Sequence, residues 1–371
     1  MFGNGAMIGM AAVASQISSC QNYGDILCEL AHTKSKAVHM AALLGGTNAA
    51  GALTVLKDCT NYGNFSVSDK ASRQGDYYVG GVAGYLNAGV EELKNLTNLG
   101  CGELLGAGNA HEYRVGGVSG AINSASDNLV NGSKDDASKG CIYICSGEPK
   151  SDNVYLAGIA YSTGGYNISN STNYGALTIE GYANNTYLGG ILASLSNGKI
   201  DKCSNYGQLN HTLATVATVN VGGILAQVFV DAESTNDKPL IVEGCNNYGP
   251  ICYTAANGTT NSGLRIIGGL IGYGNAKNNL IPYTIKDCTS AGTMVFIDLS
   301  GSTKEVAYGG AFAYPQYGKD VTLTNVKVSA KMYVGSNVDL KTGVATPIPG
   351  HTEGAKFKMS GMCAMFSKHT I

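Results

Sequence analysis

The stretch Leu188-Gly-Gly-Ile-Leu-Ala-Ser-Leu-Ser-Asn-Gly-Lys-Ile-Asp-Lys-Cys-Ser-Asn-Tyr-Gly-Gln-Leu-Asn-His-Thr212 holds two signatures that return, in the same order, through a 371-residue chain. The second of them, a Cys/Ser/Leu-x-Asn-Tyr/Leu-Gly turn, recurs as Cys20-Gln-Asn-Tyr-Gly24, Cys59-Thr-Asn-Tyr-Gly63, Leu96-Thr-Asn-Leu-Gly100, Ser171-Thr-Asn-Tyr-Gly175, Cys203-Ser-Asn-Tyr-Gly207 and Cys245-Asn-Asn-Tyr-Gly249, and decays at Cys288-Thr-Ser-Ala-Gly292. Between these lies an apolar residue, a glycine pair and a small aliphatic run, as in Val79-Gly-Gly-Val-Ala-Gly84, Val115-Gly-Gly-Val-Ser-Gly120, Val221-Gly-Gly-Ile-Leu-Ala226 and Ile267-Gly-Gly-Leu-Ile-Gly272. A period of about 32–43 residues belongs to architectures that stack one supersecondary unit on the next.

Within the quoted unit the turn residues Asn197-Gly198 and Asn205-Tyr-Gly207 separate three short strands: Leu188 to Ser194, Lys199 to Ser204 and Gly207 to Thr212. The expected fold is therefore all-β, a right-handed parallel β-helix (β-solenoid) of about eight to nine coils with three short strands per coil. The repeat region is expected to span 1–320, and 321–371 to hold degenerate final coils that continue the same solenoid. Hydrophobic residues make up 44% of the chain, charged residues 13%, and there are 52 glycines, a balance that suits many tight corners better than helices.

Stacking places like residues in columns. Asn22, Asn61, Asn98, Asn173, Asn205 and Asn247 are expected to bond amide to amide along the corner, with a residue at positive φ completing the bend. The glycine pairs mark a place where the chain packs too closely for a side chain. Cys20, Cys59, Cys203, Cys245 and Cys288 share one position, either as small buried side chains or as bridges between adjacent coils, whose spacing a disulfide accepts. The excess length of some units falls in polar segments, Ser124 to Ser138, Asp231 to Lys238 and Ala255 to Gly263, where solenoids often build binding faces.

The alternation of Gly-Gly-Ile-x-Gly/Ala with Cys-x-Asn-Tyr-Gly resembles the Glug-type repeats of large bacterial surface proteins, including those of gut anaerobes, and of the non-catalytic repeat region of some immunoglobulin A proteases. It is similar, more loosely, to the GGA[ILV] repeats of chlamydial polymorphic membrane proteins, with Gly309-Gly-Ala-Phe-Ala313 the nearest match. The resemblance covers about Ala6 to Ala313, while Asn128 to Gly140 and the residues after Asp320 depart from it. It implies a surface-exposed β-solenoid, commonly an adhesin or stalk, and carries no catalytic residue over.

Several functions are disfavoured by composition. A net charge of -2 and three arginines, Arg73, Arg114 and Arg265, leave no basic stripe for nucleic acid. No apolar run reaches the roughly 20 residues that span a bilayer, so no transmembrane segment is expected. Ala6 to Ser15 is apolar without a basic flank, so it does not read as a signal peptide. Neither end shows a polar capping repeat; a fragment of a longer protein, capping by other material, and end-to-end self-association remain open.

Parallel β-helices also host glycan lyases and hydrolases, which need two carboxylates around the scissile bond. Asp135-Asp136 and Glu91-Glu92 are the local candidates and read as solvated decoration. Asp58, Asp201 and Asp287 recur just before the cysteine position beside Lys57, Lys202 and Lys286, and read as exposed cross-coil ion pairs. His32, His39, His111, His211, His351 and His369 show no ligand spacing, so no metal, cofactor or catalytic residue is expected. Tyr23, Tyr62, Tyr174, Tyr206 and Tyr248 form a column that either offers amphipathic faces to a protein or glycan ligand or stiffens the bend with hydroxyls in water. The reading is a non-enzymatic, extracellular or cell-surface adhesin, stalk or assembly module, with a self-assembling filament subunit and a glycan-active enzyme as alternatives.

Overall fold

Each coil is built from short stretches in which every second side chain turns inward, as in Leu240–Glu243 and Tyr283–Lys286, where buried residues alternate with more exposed ones. The computed structural model describes residues 2–364 except 6, 13, 31–36, 70–74, 107–111, 163, 217, 230–237, 262, 276–280, 317–319 and 352–356, and every regular element among them is a β-strand. Parallel strands stack coil on coil into sheets of seventeen, nine and fifteen strands, and one antiparallel pair stands apart. The chain is a parallel β-solenoid.

The register superposes equivalent residues. Leu177 lies opposite Leu209, Leu209 opposite Ile251, and Ile251 opposite Met294. Each such side chain is buried, and a buried aliphatic contributes about 1.5–3 kcal/mol relative to an exposed one.

A coil has four strand tracks rather than three. The expected strand Leu188 to Ser194 is broken at its glycines: Leu177–Gly189 ends there, and Leu192–Leu195 begins a different sheet. A Cβ on Gly190 would lie 1.9 Å from the Gly223 carbonyl oxygen and 2.6 Å from Asn205 Cγ, and one on Gly223 would lie 2.1 Å from the Gly269 oxygen and 2.4 Å from Asn247 Cγ. The glycine pair is thus a corner pressed against the asparagine of its own coil. The residues before it, such as Thr218–Gly222, run in the same sheet as those after the Asn-Tyr-Gly corner, such as Leu209–Val216.

That contact pinches every coil into two lobes. One holds Leu192, Leu195, Ile200 and Cys203 between the nine- and fifteen-stranded sheets. The other, an arch formed by the two tracks of the seventeen-stranded sheet, holds Leu188, Leu209, Val219 and Val221.

Except at Gly140, where φ is 69°, the corner glycine is needed for close approach and not for positive φ. A Cβ on Gly207 would sit 2.0 Å from the Gly175 carbonyl oxygen, and one on Gly249 would sit 2.1 Å from that of Gly207. The left-handed residues lie instead immediately before the cysteine position: Ser19, Asp58, Asn95, Asn128, Asn170, Lys202, Asp287 and Asn325, with Gly244 in the same column. Asn and Asp tolerate this region better than most residues, which explains their frequency there.

After residue 320, Val321–Thr324, Lys327–Val328, Met332–Val334 and Phe357–Ser360 each add a parallel strand to the preceding coil. Ser336–Val338 and Ala345–Pro347 form the antiparallel pair, and Val338 packs on Val295 and Ile297 at the outside of the arch. No helix among the described residues is long and apolar enough to cross a membrane.

Candidate functional site

The waist asparagines form a continuous ladder. The Nδ2 of Asn22 donates to Oδ1 of Asn61 at 2.8 Å, and the same 2.8 Å bond links Asn61 to Asn98, Asn98 to Asn131, Asn131 to Asn173, Asn173 to Asn205 and Asn205 to Asn247. Each of these donors also reaches the carbonyl of its own corner glycine, as from Asn61 to Gly63 at 2.7 Å. Asn131 was not legible as a member because the insertion 132–139 parts it from its corner glycine, Gly140, whose carbonyl it reaches at 2.8 Å. Ser290 ends the run.

The polar members of the cysteine column bond to the backbone just before them. The carbonyl two positions before the cysteine already accepts a backbone N–H from the preceding coil, Lys57 O from Ser19 at 3.1 Å, Asp201 O from Asn170 at 2.9 Å, Glu243 O from Lys202 at 2.8 Å and Lys286 O from Gly244 at 3.0 Å, and the thiol is a second donor to it. Cys59 Sγ donates to Lys57 O at 3.0 Å, Cys203 to Asp201 O at 3.4 Å, Cys245 to Glu243 O at 3.3 Å and Cys288 to Lys286 O at 3.1 Å. Ser171 makes the same bond at 2.9 Å, and the half-exposed Cys20 reaches Ser18 O at 3.3 Å. The Cys203 N–H donates to Cys245 Sγ and the Cys245 N–H to Cys288 Sγ, both at 3.4 Å. All eleven cysteines carry free thiols. Burial pushes the Cys59 thiol up to about 11, which keeps it protonated and able to donate.

The carboxylates before the cysteines take a role beyond ion pairing. Asp58 accepts from Asn95 Nδ2 at 2.7 Å, Asn95 from Asn128 at 2.9 Å, and Asp287 from Asn325 at 2.7 Å, so an outer amide–carboxylate ladder runs beside the kinks. The cross-coil ion pairs use other partners: Lys57 with Glu92 at 2.6 Å, and Glu243 with both Lys199 and Lys286 at 2.9 Å. Lys199 and Lys286 beside it hold the Glu243 carboxyl down to about 2.

The tyrosine column is split in two. Tyr23 and Tyr62 stack at 4.6 Å with planes 2° apart; Tyr174, Tyr206 and Tyr248 stack at 5.2 and 5.0 Å. Leu99 and the insertion 132–139 interrupt the run between them. Tyr23, Tyr62, Tyr206 and Tyr248 are exposed, but neighbouring rings cover one another's faces, so the column shows solvent mainly edges and hydroxyls.

A second aromatic group lies outside the glycine corner. Tyr78, Arg114, Tyr155 and Tyr187 occupy one outward register position in successive coils, and Tyr85 and Tyr161 approach them from the adjoining sheet. Arg114 pairs with Asp76 at 3.0 Å and with Glu112, and its guanidinium lies 4.8 Å from the Tyr78 ring centre and 5.0 Å from that of Tyr161. Burial pushes the Tyr78 and Tyr187 phenols up to about 12, which suits packing rather than proton transfer. The spacing of 32–41 residues between its members hides this group from any local motif.

No family model, curated protein or solved structure matches the chain. The Glug-type resemblance accordingly rests on the repeat signatures alone.

The acidic pairs are engaged locally. Asp136 Oδ1 accepts from the Ser138 N–H at 2.9 Å and its hydroxyl at 2.6 Å within an exposed loop turn, while Glu92 is engaged by Lys57 and Lys94. His211 is buried, 2.7 Å from Thr186 Oγ1, and burial holds it down to about 3. The Asp298 N–H donates to His351 Nδ1 at 3.1 Å. His32, His111 and His369, and most of Asp231 to Lys238, lie outside the described residues. Among the described residues no three His, Cys, Asp or Glu side chains come together as metal ligands would.

Proposed function

We propose that the chain is a non-enzymatic, extracellular or cell-surface module, a stiff stalk segment that carries an adhesive strip for a protein or glycan. The observation that supports this most is the unbroken asparagine ladder, because it commits the polar interior of successive coils to holding the coils in register. At about 4.8 Å per coil, the nine strands of the second sheet span roughly 40 Å. The strip is the exposed edge of Tyr174, Tyr206 and Tyr248 beside the insertion 132–139, where stacked rings and hydroxyls repeat at coil spacing. Such a strip gains from multivalency, since contacts repeated along one face add through effective concentration.

The test is protease accessibility on intact cells that express the protein, together with electron microscopy of the purified chain across a concentration range. Surface exposure and discrete short particles are the expected result. A strictly internal location, or turnover of polysaccharide by the purified chain, overturns the proposal; fibres with a one-subunit repeat would replace the stalk by a filament subunit.

A further inference from the structure

Cys101 and Cys141 stand apart from the thiol ladder. Each directly follows a corner glycine, Gly100 and Gly140, in adjacent coils, and their chain neighbours Gly102 and Ile142 are register partners. The Gly102 N–H donates to the Cys141 carbonyl at 2.8 Å, which fixes the two backbones side by side at the point where the thiols project. Strands in register lie about 4.8 Å apart, inside the 4.4–6.8 Å range of Cα separation that a disulfide accepts.

Both thiols are partly exposed and line one open cleft of about 550 Å³, together with Asp25, Phe65, Glu103 and Tyr143. Ladder thiols such as Cys203 and Cys245 are fully buried and hydrogen-bonded to two carbonyls each, so a soluble oxidant has no path to them.

We propose that Cys101 and Cys141 are a redox-active dithiol that closes to an inter-coil disulfide by exchange with small-molecule disulfides such as oxidised glutathione, fastening the insertion 132–139 to the coil before it. Cys141 is the attacking group. The Cys141 thiol makes only a 3.6 Å contact with Ala137 O, whereas that of Cys101 is already committed to Ser138 O at 3.0 Å, so Cys141 is the freer of the two to ionise and attack. The Cys141 thiolate attacks one sulfur of the glutathione disulfide, and one glutathione leaves as thiolate. Cys101 loses its proton and attacks the Cys141 sulfur of the mixed disulfide, and the second glutathione leaves. Two electrons pass from the two protein thiols to the glutathione disulfide, and the two thiol protons end on the two glutathiones or in solvent.

The consequence is local. Cys101 Sγ already donates to Ser138 O at 3.0 Å, so the bond would lock the end of the insertion that stands beside the tyrosine strip. Because the chemistry depends only on the coil geometry, it does not rest on the stalk reading.

To test this, the intact protein is equilibrated in buffers of graded reduced-to-oxidised glutathione, alkylated without unfolding, digested and mapped by mass spectrometry. Cys141 and Cys145 share a tryptic peptide, so the link is assigned in a Cys145→Ser background. The expected result is a single linked peptide joining Cys101 to Cys141, with Cys59, Cys203, Cys245 and Cys288 still reduced. Cys101→Ala removes the resolving thiol and is expected to stop Cys141 at the mixed disulfide with glutathione, with no inter-coil link. The proposal is overturned if both cysteines remain unlinked in the most oxidising buffer, if only mixed disulfides form, or if a ladder pair links first.

Discussion

The two lobes of the coil share one waist and one stacking distance, yet they fill themselves differently. The cysteine lobe is chiefly aliphatic, and the column behind its left-handed kinks offers a second donor to a backbone carbonyl where it holds Cys or Ser and none where it holds Leu96 or Leu129. The arch lobe fills its inward positions with residues that stack at coil spacing. His211, Tyr253 and Phe296 succeed one another at one position, with ring centres 5.3 and 5.0 Å apart, and Tyr77 lies 4.9 Å from Tyr113. The column beside the kinks takes Cys, Ser or Leu in turn; a position read only by its neighbours above and below is restricted to shape.

The arch can therefore hold groups that the cysteine lobe does not. Arg265 and Asp298 pair there almost without exposure, with Lys304 O at 2.6 Å from Arg265 Nη2 and Ser300 N at 2.9 Å from Asp298 Oδ1. Replacing Arg265 by Met strands the Asp298 carboxylate and is expected to cost about 3–5 kcal/mol, the largest effect in either lobe, as read by chemical denaturation. A loss below about 1 kcal/mol would show that the arch opens to water at its tip.

The waist comes next. Gly190→Ala places a methyl into the Gly223 carbonyl and Asn205, and its expected cost is about 3 kcal/mol because backbone, not a flexible side chain, must move. Gly51→Ala, where the added carbon meets nothing within 4 Å, is the control that isolates positive-φ strain. Asn205→Ala breaks the ladder one member from its end and leaves the Gly207 carbonyl and Asn247 Oδ1 short of a donor, for an expected cost of about 2 kcal/mol by the same assay.

Protonation separates the lobes without changing a residue. His211 titrates near 3 in the folded arch and near its ordinary 6.5 in the unfolded chain. As pH falls below 6.5 the unfolded chain binds a proton that the folded chain refuses, so stability present above 6.5 declines, by on the order of 1–2 kcal/mol at about pH 5. His211→Phe, which keeps a ring over Tyr253, should flatten the slope of melting temperature against pH between about 7 and 5; an unchanged slope would place the proton uptake elsewhere. The smallest effect is expected in the cysteine lobe: Cys245→Ala removes a weak donor and a small buried side chain for about 1 kcal/mol, and Cys245→Ser, which keeps a donor as Ser171 does, should recover part of it.

How much of this was legible follows the range of each interaction. The Asn-Tyr-Gly recurrence made the column from Asn22 to Asn247 visible, but Asn131 was hidden because eight residues, 132–139, stand where other corners have one, and they leave its amide geometry intact. The recurring aspartates were visible, while their bonds to Asn95 and Asn325 were not, since the acceptor and donor types differ from coil to coil. The positive φ was placed at the corner glycine, where, Gly140 apart, closeness alone requires glycine, because both demands select the same residue.

The sequence by itself determined the parallel stack, its period and the residues that form columns, because a repeated motif held in register must place like beside like. Only the tertiary structure decided that the two signatures are the two sides of one waist, that the coil therefore has two lobes, and that Tyr78, Arg114 and Tyr161 or Cys101 and Cys141 become neighbours. Those contacts join residues in different coils or across the waist, where the distance is set by how sharply the backbone can bend when no Cβ stands in the way, and no local pattern along the chain encodes it.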